Sequence, residues 1–451
     1  MSLSISNVNK ALKTADETKS LMIGSNILYK LPQLFKDQFH ESEAIVIADR
    51  TTYKIAGKKL EKLLKHNGVK LLKSFIFTDS KLYAEYRFVK KLVNYLKNNN
   101  AIPIAVGSGT INDITKLASH ETNRRYICVA TAASMDGYTA FGASITYNGA
   151  KQTFNCPAPI ACISDLNIIR DAPPEMTAAG YADLFAKVTA GADWILSDAL
   201  GVEKIDPRSW SIVQDGLHEA LSDPEGIKEK KEDSIKKLIE GLMLGGFAMQ
   251  THKTSRPASG AEHQFSHLWS MEHHTNYGKD VSHGFQVAIG TLAITALYEQ
   301  FLESPIQNLD VAACSNAWPT LEELENDARE RFRDTDFPEI GVIETKEKYI
   351  SKKELSTQLQ ILKDNWTEIK LRLEKQLIPY AEVKRCLSLV GAPVHPEDIG
   401  ISQEYLKRTF LRAYYIRRRF TILDIAVRTN LLDEWLENLF GENGHWKENQ
   451  L

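Results

Sequence analysis

The sequence predicts an α/β region over residues 1–174 followed by an all-helical region over residues 175–451. Three observations predict it. From Glu43 to Arg170, short β-branched runs alternate with helical patterns, and such alternation builds a parallel sheet covered by helices. The segment Asp171-Ala-Pro-Pro-Glu-Met176 then changes the character of the chain, and beyond it strand patterns all but vanish. A length of 451 residues suits two domains, each with a core of its own at roughly 100–200 residues per domain.

Taken in order, EAIVIADR, KSFIFTD, AIPIAVG and RYICVAT are apolar, short and bounded by turn residues, as buried parallel strands are. Between them, LYAEYRFVKKLVNYLKNN repeats apolar residues at three- and four-residue spacing, and INDITKLASH follows AIPIAVG after a glycine-containing turn. ASITYNGAKQTFNCPAP carries Tyr-Asn-Gly-Ala between alternating segments, a hairpin signal, and PIACISDLNII reads as a returning strand. Past residue 176, helices are predicted over AAGYADLFAKVTAGADWILSDAL, SIKKLIEGLMLGGFAMQTH, SGAEHQFSHLWSMEHH, HGFQVAIGTLAITALYEQFL and a final series from Lys384 to Leu439. Residues 222–237 and 343–375 are charge-rich and read as solvated faces.

Composition narrows the function. With 43% hydrophobic and 25% charged residues, the chain is neither disordered nor collagenous nor membrane-embedded in type. Its 55 Lys and Arg against 58 Asp and Glu give a net charge of −3, which offers no electrostatic footprint for nucleic acid. Five scattered cysteines form no CxxC pair, as expected in a reducing compartment. The polar start lacks the apolar core of a signal peptide, and the longest nearly apolar run, Val287 to Tyr298, is short of the ~20 residues of a membrane span. A cytoplasmic protein without membrane insertion is the expectation.

Three segments carry chemistry. Val106-Gly-Ser-Gly-Thr-Ile-Asn-Asp113 lies between a strand and a helix, where a glycine turn lets backbone N–H groups approach a pyrophosphate. The same two glycines also serve an ordinary tight turn, and the spacing is not GxGxxG. Thr131-Ala-Ala-Ser-Met-Asp-Gly-Tyr138 again follows a strand; its hydroxyls and Asp136 either face the ligand crevice beyond the strand ends or cap the next element.

The third is a histidine cluster. Six of twelve histidines, His252, His263, His267, His273, His274 and His283, fall within residues 252–283. His263 and His267 are at i and i+4, with Ser259 and Glu262 at capping-box spacing before them, and His283 opens the next helix. Asp183 and Lys187 sit at i and i+4 in an apolar helix upstream, where charge needs a partner. One carboxylate and two imidazoles form a donor set for a catalytic divalent ion acting as a Lewis acid, and Asp183, His263 and His283 are its candidates. His273 and His274 read as interhelical or surface residues.

VGSGTINDITK, ATAASMDGYTA, GYADLFAK, SRPASGAEHQFSH and SHGFQVAIGT, in that order, resemble the glycerol-1-phosphate dehydrogenase family, in particular its bacterial AraM-like branch, over about residues 20–300. The resemblance implies the dehydroquinate synthase-like fold shared with iron-containing alcohol dehydrogenases: an N-terminal nucleotide-binding α/β domain and an all-helical metal- and substrate-binding domain. It implies reversible reduction of dihydroxyacetone phosphate, a phosphorylated triose, to sn-glycerol 1-phosphate with NAD or NADP. It further implies one divalent metal ion (zinc, nickel or iron) held by Asp183, His263 and His283, and a homo-oligomer, a dimer in the family.

The family's cofactor contacts fall on Asp49, on Gly107, Ser108, Gly109, Thr110 and Ile111, and on Thr131, Ala132, Ala133 and Ser134. Its substrate contacts fall on Asp136, Asp183 and His267, with Asp183 and His267 as the catalytic pair. A family serine that contacts the cofactor is Ala140 here, and Thr139 beside it is the candidate replacement. Arg256 and Lys187 are the cations placed to meet a phosphate. A dehydroquinate-synthase-like cyclase typically has glutamate as its first metal ligand, where this chain has Asp183. A glycerol dehydrogenase acting on unphosphorylated substrate is the nearer alternative.

Overall fold

The β-branched runs become strands of one parallel sheet in the computed structural model, which describes residues 3–147 and 149–446. Strands β1 (Ser20–Gly24), β2 (Ala44–Asp49), β3 (Phe75–Phe77), β4 (Ile102–Gly107), β5 (Ile127–Ala130) and, after a hairpin of β6 (Ala143–Tyr147) and β7 (Ala150–Phe154), β8 (Ala161–Asp165) are its extended elements. The six sheet strands run in the order β1-β8-β5-β4-β2-β3, every neighbouring pair parallel. Buried on both faces, Ile45, Val46 and Ile47 of β2 are fully covered, which explains an unbroken apolar run rather than an alternating one.

The order of the strands positions the site. The chain moves outward from β2 to β3, then returns to the other side of β2 to lay down β4. Strand order therefore reverses between β2 and β4, and the carboxyl ends flanking that reversal are Asp49 and Gly107. In open parallel sheets this is where a ligand crevice forms.

By contacts the chain divides into two compact units, residues 1–184, 207–257 and 389–391 in the first and 185–206, 258–388 and 392–451 in the second. In the first, helices α1 (Leu3–Thr14), α2 (Leu31–Phe39), α3 (Lys58–His66), α4 (Tyr86–Leu96) and α5 (Gly109–Glu121) accompany the sheet. Leu31, Leu34 and Phe35 of α2 and Leu60 and Leu64 of α3 pack in one cluster with Val46, Ile104, Val129 and Ile163, each worth roughly 1.5–3 kcal/mol of burial. The long helix α6 (Pro174–Ala199) begins in this unit, and α7 (Glu232–His252) lies against α1 through Leu244 and Phe247. The hairpin turns as its Asn-Gly pair predicts, with Gly149 at φ 81°; Asn148 lies outside the described residues. Strand β1, with helices α1 and α2, is an element that apolar patterning does not announce: all five of its residues are half-buried.

The second unit is helical, with only the two-residue strands Thr275–Asn276 and Lys279–Asp280 among its described residues. They join α8 (Ala261–Met271) to α9 (His283–Glu303). Helix α9 is largely apolar because most of it is enclosed, with Val287, Leu292, Ile294, Leu297 and Phe301 buried. It is the one described helix long and apolar enough to cross a membrane, and 78% of its most apolar window is buried inside the protein. The charge-rich stretch at 343–375 forms amphipathic helices that bury Leu355, Leu359, Leu362, Ile369 and Leu373.

Candidate active site

In the first unit, the functional groups are placed mainly by backbone. Gly107 ends β4, Ser108 caps α5 in an extended conformation, and Gly109, Thr110 and Ile111 form the helix's first turn, whose N–H groups lack intrahelical acceptors. Thr131, directly after β5, donates its N–H to the Gly107 carbonyl at 3.2 Å, so the two segments meet at adjacent strand ends. Ala132 and Ala133 are buried, while Ser134 is half-exposed. Asp49 caps the short turn Arg50–Thr52, one carboxylate oxygen accepting from the N–H groups of Thr51 at 2.7 Å and Thr52 at 2.8 Å.

Lys116 holds the loop that carries Asp136. Fully buried, its ammonium donates to the carbonyls of Gly137, Ala140 and Gly142, each at 2.9 Å. Sequence reasoning missed it, because a lysine on an amphipathic helix ordinarily marks the solvent face. Asp136 then donates its N–H to Oδ2 of Asp183 at 3.0 Å, tying the loop to α6. Gly180, one turn before Asp183, makes the approach possible: a Cβ there would stand 2.0 Å from the Ala133 carbonyl oxygen. Thr139 is turned away, donating its hydroxyl to the Met243 carbonyl on α7 at 2.7 Å, so it does not replace the family serine at Ala140.

Electrostatics sharpen this region. Burial raises the Asp113 carboxyl above its ordinary value, against the pull of the Lys116 ammonium. Desolvation lowers the Lys151 ammonium on β7, opposed by the charges of Asp113 and Asp183. Lys151, too, was not anticipated, since the hairpin pattern marks a turn and not a cation facing two carboxylates. Of the two cations named for phosphate, Arg256 is 1% exposed and Lys187 is fully buried.

In the second unit, α8 and α9 bring three imidazoles together. Ring centroids of His263 and His283 are 5.3 Å apart, and His267 stands 6.3 Å from the first and 6.4 Å from the second. His273 pairs with Asp336 at the surface and His274 bonds the Ile399 carbonyl, away from the cluster. The predicted capping box is corrected. Gly260, not Ser259, is the N-cap, and the Ser259 hydroxyl is buried without a partner. Glu262 instead accepts from the Gly260 N–H at 2.6 Å, from the Thr189 hydroxyl at 2.8 Å and from Nδ1 of His263 at 2.7 Å. Burial acts to raise its pKa, but the hydrogen bonds from His263 and the Gly260 N–H outweigh that and hold it below the ordinary value. Asp193, also buried, accepts from the N–H groups of Ala261 and Ile422 and from the Tyr298 hydroxyl, fixing where α8 begins.

Asp183, His263 and His283 each offer one ligand atom that could hold a metal ion. The donor set, one carboxylate oxygen and two imidazoles, fits a divalent first-row ion.

Known proteins share this fold and part of this sequence. Residues 22–173 match the family model described as iron-containing alcohol dehydrogenase. A glycerol-1-phosphate dehydrogenase [NAD(P)+] of Halalkalibacterium halodurans is 33% identical over 296 residues, covering 64% of this chain and 73% of the relative. One of the same name from Bacillus licheniformis is 34% identical over 63% of this chain and 71% of its own. Among solved structures, glycerol dehydrogenase from Schizosaccharomyces pombe has a TM-score of 0.59 at 16% identity, covering 93% of this chain and 90% of that one. NADH-dependent butanol dehydrogenase A from Thermotoga maritima has 0.58 at 15%, covering 93% and 97%. These structures show the fold, and the sequence relatives show the family: the chain belongs to the glycerol-1-phosphate dehydrogenases.

Proposed function

We propose that the protein reduces dihydroxyacetone phosphate to sn-glycerol 1-phosphate, reversibly, with NADH or NADPH. The observation that carries this reading is the 33% identity to a glycerol-1-phosphate dehydrogenase [NAD(P)+] over 73% of that relative's length. The protein is thus an oxidoreductase acting on a small molecule. Residues 1–174 serve as the nucleotide-binding domain and residues 175–451 as the metal- and substrate-binding domain.

Within that reading, Gly107 to Ile111 and Thr131 to Ser134 hold the cofactor's pyrophosphate and nicotinamide end, and Asp49 meets the adenosine ribose. Asp183, His263 and His283 hold a divalent ion of the zinc, nickel or iron kind, whose chemistry when bound is Lewis-acid polarisation of the substrate oxygen. Asp136 and Asp183 orient the substrate. His267, one turn beyond His263, would move the proton to or from the C2 oxygen, and the nicotinamide, when bound, would supply or take up the hydride. A cytoplasmic homodimer is part of the proposal and rests on the family resemblance; light scattering tests the oligomer.

The direct test is NADH oxidation with dihydroxyacetone phosphate, followed by chiral analysis of the product, run beside dihydroxyacetone. Turnover of the phosphorylated ketone to the sn-1 enantiomer is expected. Preferential turnover of dihydroxyacetone would move the assignment to a glycerol dehydrogenase.

A further inference from the structure

Helices α8 and α9 meet along two polar stripes. Glu262, Ser266 and Ser270 recur every four residues on α8, and His283, Gln286 and Gly290 occupy the facing side of α9. Gly290 is what lets the backbones close: a Cβ there would stand 2.4 Å from the Glu262 carbonyl oxygen. Between them runs a connected set of hydrogen bonds. The hydroxyls of Ser266 and Ser270 both donate to Oε1 of Gln286 at 2.9 Å, and the Ser266 oxygen lies 3.0 Å from Nδ1 of His283.

The direction of these bonds follows from counting hydrogens. A carboxylate only accepts, so the Glu262 contact requires the proton of His263 to sit on Nδ1. Ser266 has a single hydrogen, which it gives to Gln286, so its oxygen is left to accept from Nδ1–H of His283. In the neutral rings that a metal requires, both imidazoles are thereby held as the tautomer whose Nε2 carries a lone pair. Neither Glu262 nor Ser266 belongs to the ligand set, yet each faces the far nitrogen of one ligand.

We propose that Glu262 and the Ser266–Gln286 pair are positioning residues that present the two imidazoles to a divalent ion through Nε2, so that metal affinity depends on groups outside the ligand set. This rests on the reading of His263 and His283 as ligands. Outer partners of metal-bound histidines generally fix ring orientation and basicity, and losing one weakens metal binding by ~10- to 100-fold. The stripe has a purpose that packing alone does not supply, because an apolar pair of helices would cover the same area without four polar side chains to satisfy.

The test uses the full-length chain stripped of metal. The zinc dissociation constant is measured by competition with a chromophoric chelator, beside the melting temperature of the metal-free protein, for the parent and for Ser266→Ala, Ser266→Thr, Gln286→Met and Glu262→Gln. Ser266→Ala should weaken zinc binding by ~10- to 100-fold while moving the metal-free melting temperature little. Ser266→Thr, which keeps the hydroxyl, should recover most of the affinity. Gln286→Met, breaking the same relay from α9, gives a second reading should Ser266→Ala fold poorly, and Glu262→Gln reads the His263 side. Parent-like zinc affinity in Ser266→Ala and Gln286→Met, beside a His283→Ala variant that has lost it, overturns the positioning role alone. Undiminished zinc binding in His283→Ala, or none in the parent, overturns the ligand reading and the positioning role with it.

Discussion

The strand-end loops of the α/β unit and the helix pair α8–α9 place their functional groups by opposite means. In the loops, backbone is what is held: the Thr131 N–H by the Gly107 carbonyl, the Asp136 N–H by the Asp183 carboxylate, and three carbonyls by the Lys116 ammonium. Hydrogen or methyl side chains stand at Gly107, Gly109, Ala132 and Ala133 in these loops and at Gly180 on the helix they meet. In the helix pair, side chains do the placing, with Glu262, Ser266 and Gln286 each holding another side chain. The difference is one of vulnerability. Loops built on close backbone approach fail when atoms are added, whereas a side-chain relay fails when atoms are removed.

Removing atoms from the relay's output should have the largest effect. His263→Ala takes away a proposed ligand and leaves Glu262, fully buried, without its imidazole partner. Metal content by elemental analysis should fall to background and turnover should vanish, while circular dichroism retains the helical signal. Full activity in an exhaustively chelated parent would remove the metal from the reaction altogether.

His267→Ala is the next largest and separates neighbours on one helix. The ring stands beside both other imidazoles but is outside the ligand set. Metal content and cofactor affinity should hold, and kcat should fall by roughly 10²- to 10⁴-fold for a proton-relay role. A rise in KM with kcat unchanged would assign it to substrate binding instead. A lowered melting temperature with parent-like kinetics would leave it a packing residue.

Adding an atom to the loop region reverses the pattern. Gly180→Ala places a methyl where the Ala133 carbonyl oxygen stands, and backbone cannot yield as a flexible side chain can. A loss of about 1–3 kcal/mol in stability is expected, together with a weaker cofactor dissociation constant in fluorescence titration. Zinc affinity should change less than in Ser266→Ala; an equal loss in both would erase the contrast between the two regions.

The contrast also explains what could be read from the sequence. β2, β4, β5 and β8 were legible because strands buried on both faces carry apolar runs, the edge strand β3 because its Phe-Ile-Phe is bounded by turn residues, and the helical half because apolar periodicity persists over long stretches. β1 was not, since its apolar run is only Leu21 to Ile23 and all five of its residues are half-buried. The histidine cluster was visible as density, but its supporting groups were not: Ser259 and Glu262 have the spacing of a capping box, and only the proximity of Thr189 and His263 shows that Glu262 faces inward. Lys116 was hidden for the same reason, its acceptors lying more than 20 residues away.

The smallest expected effect concerns Asp49, whose carboxylate ends β2 at the strand reversal. Asp49 has two possible tasks, capping the Arg50–Thr52 turn and meeting the adenosine ribose, and Asp49→Asn separates them. The amide oxygen can still accept from the Thr51 and Thr52 N–H groups, and Asn caps about as well as Asp, so the melting temperature should stay within a degree or two. The negative charge is gone. Repulsion between unit charges about 4 Å apart in water is worth about 1 kcal/mol, so the ratio of kcat/KM for NADPH over NADH should rise about five- to tenfold. Exposed Arg50, next in the chain, keeps its charge in both proteins, which isolates the change to Asp49. An unchanged ratio with a lowered melting temperature would make Asp49 a cap only, and the ribose contact would have to come from another group at the end of β2.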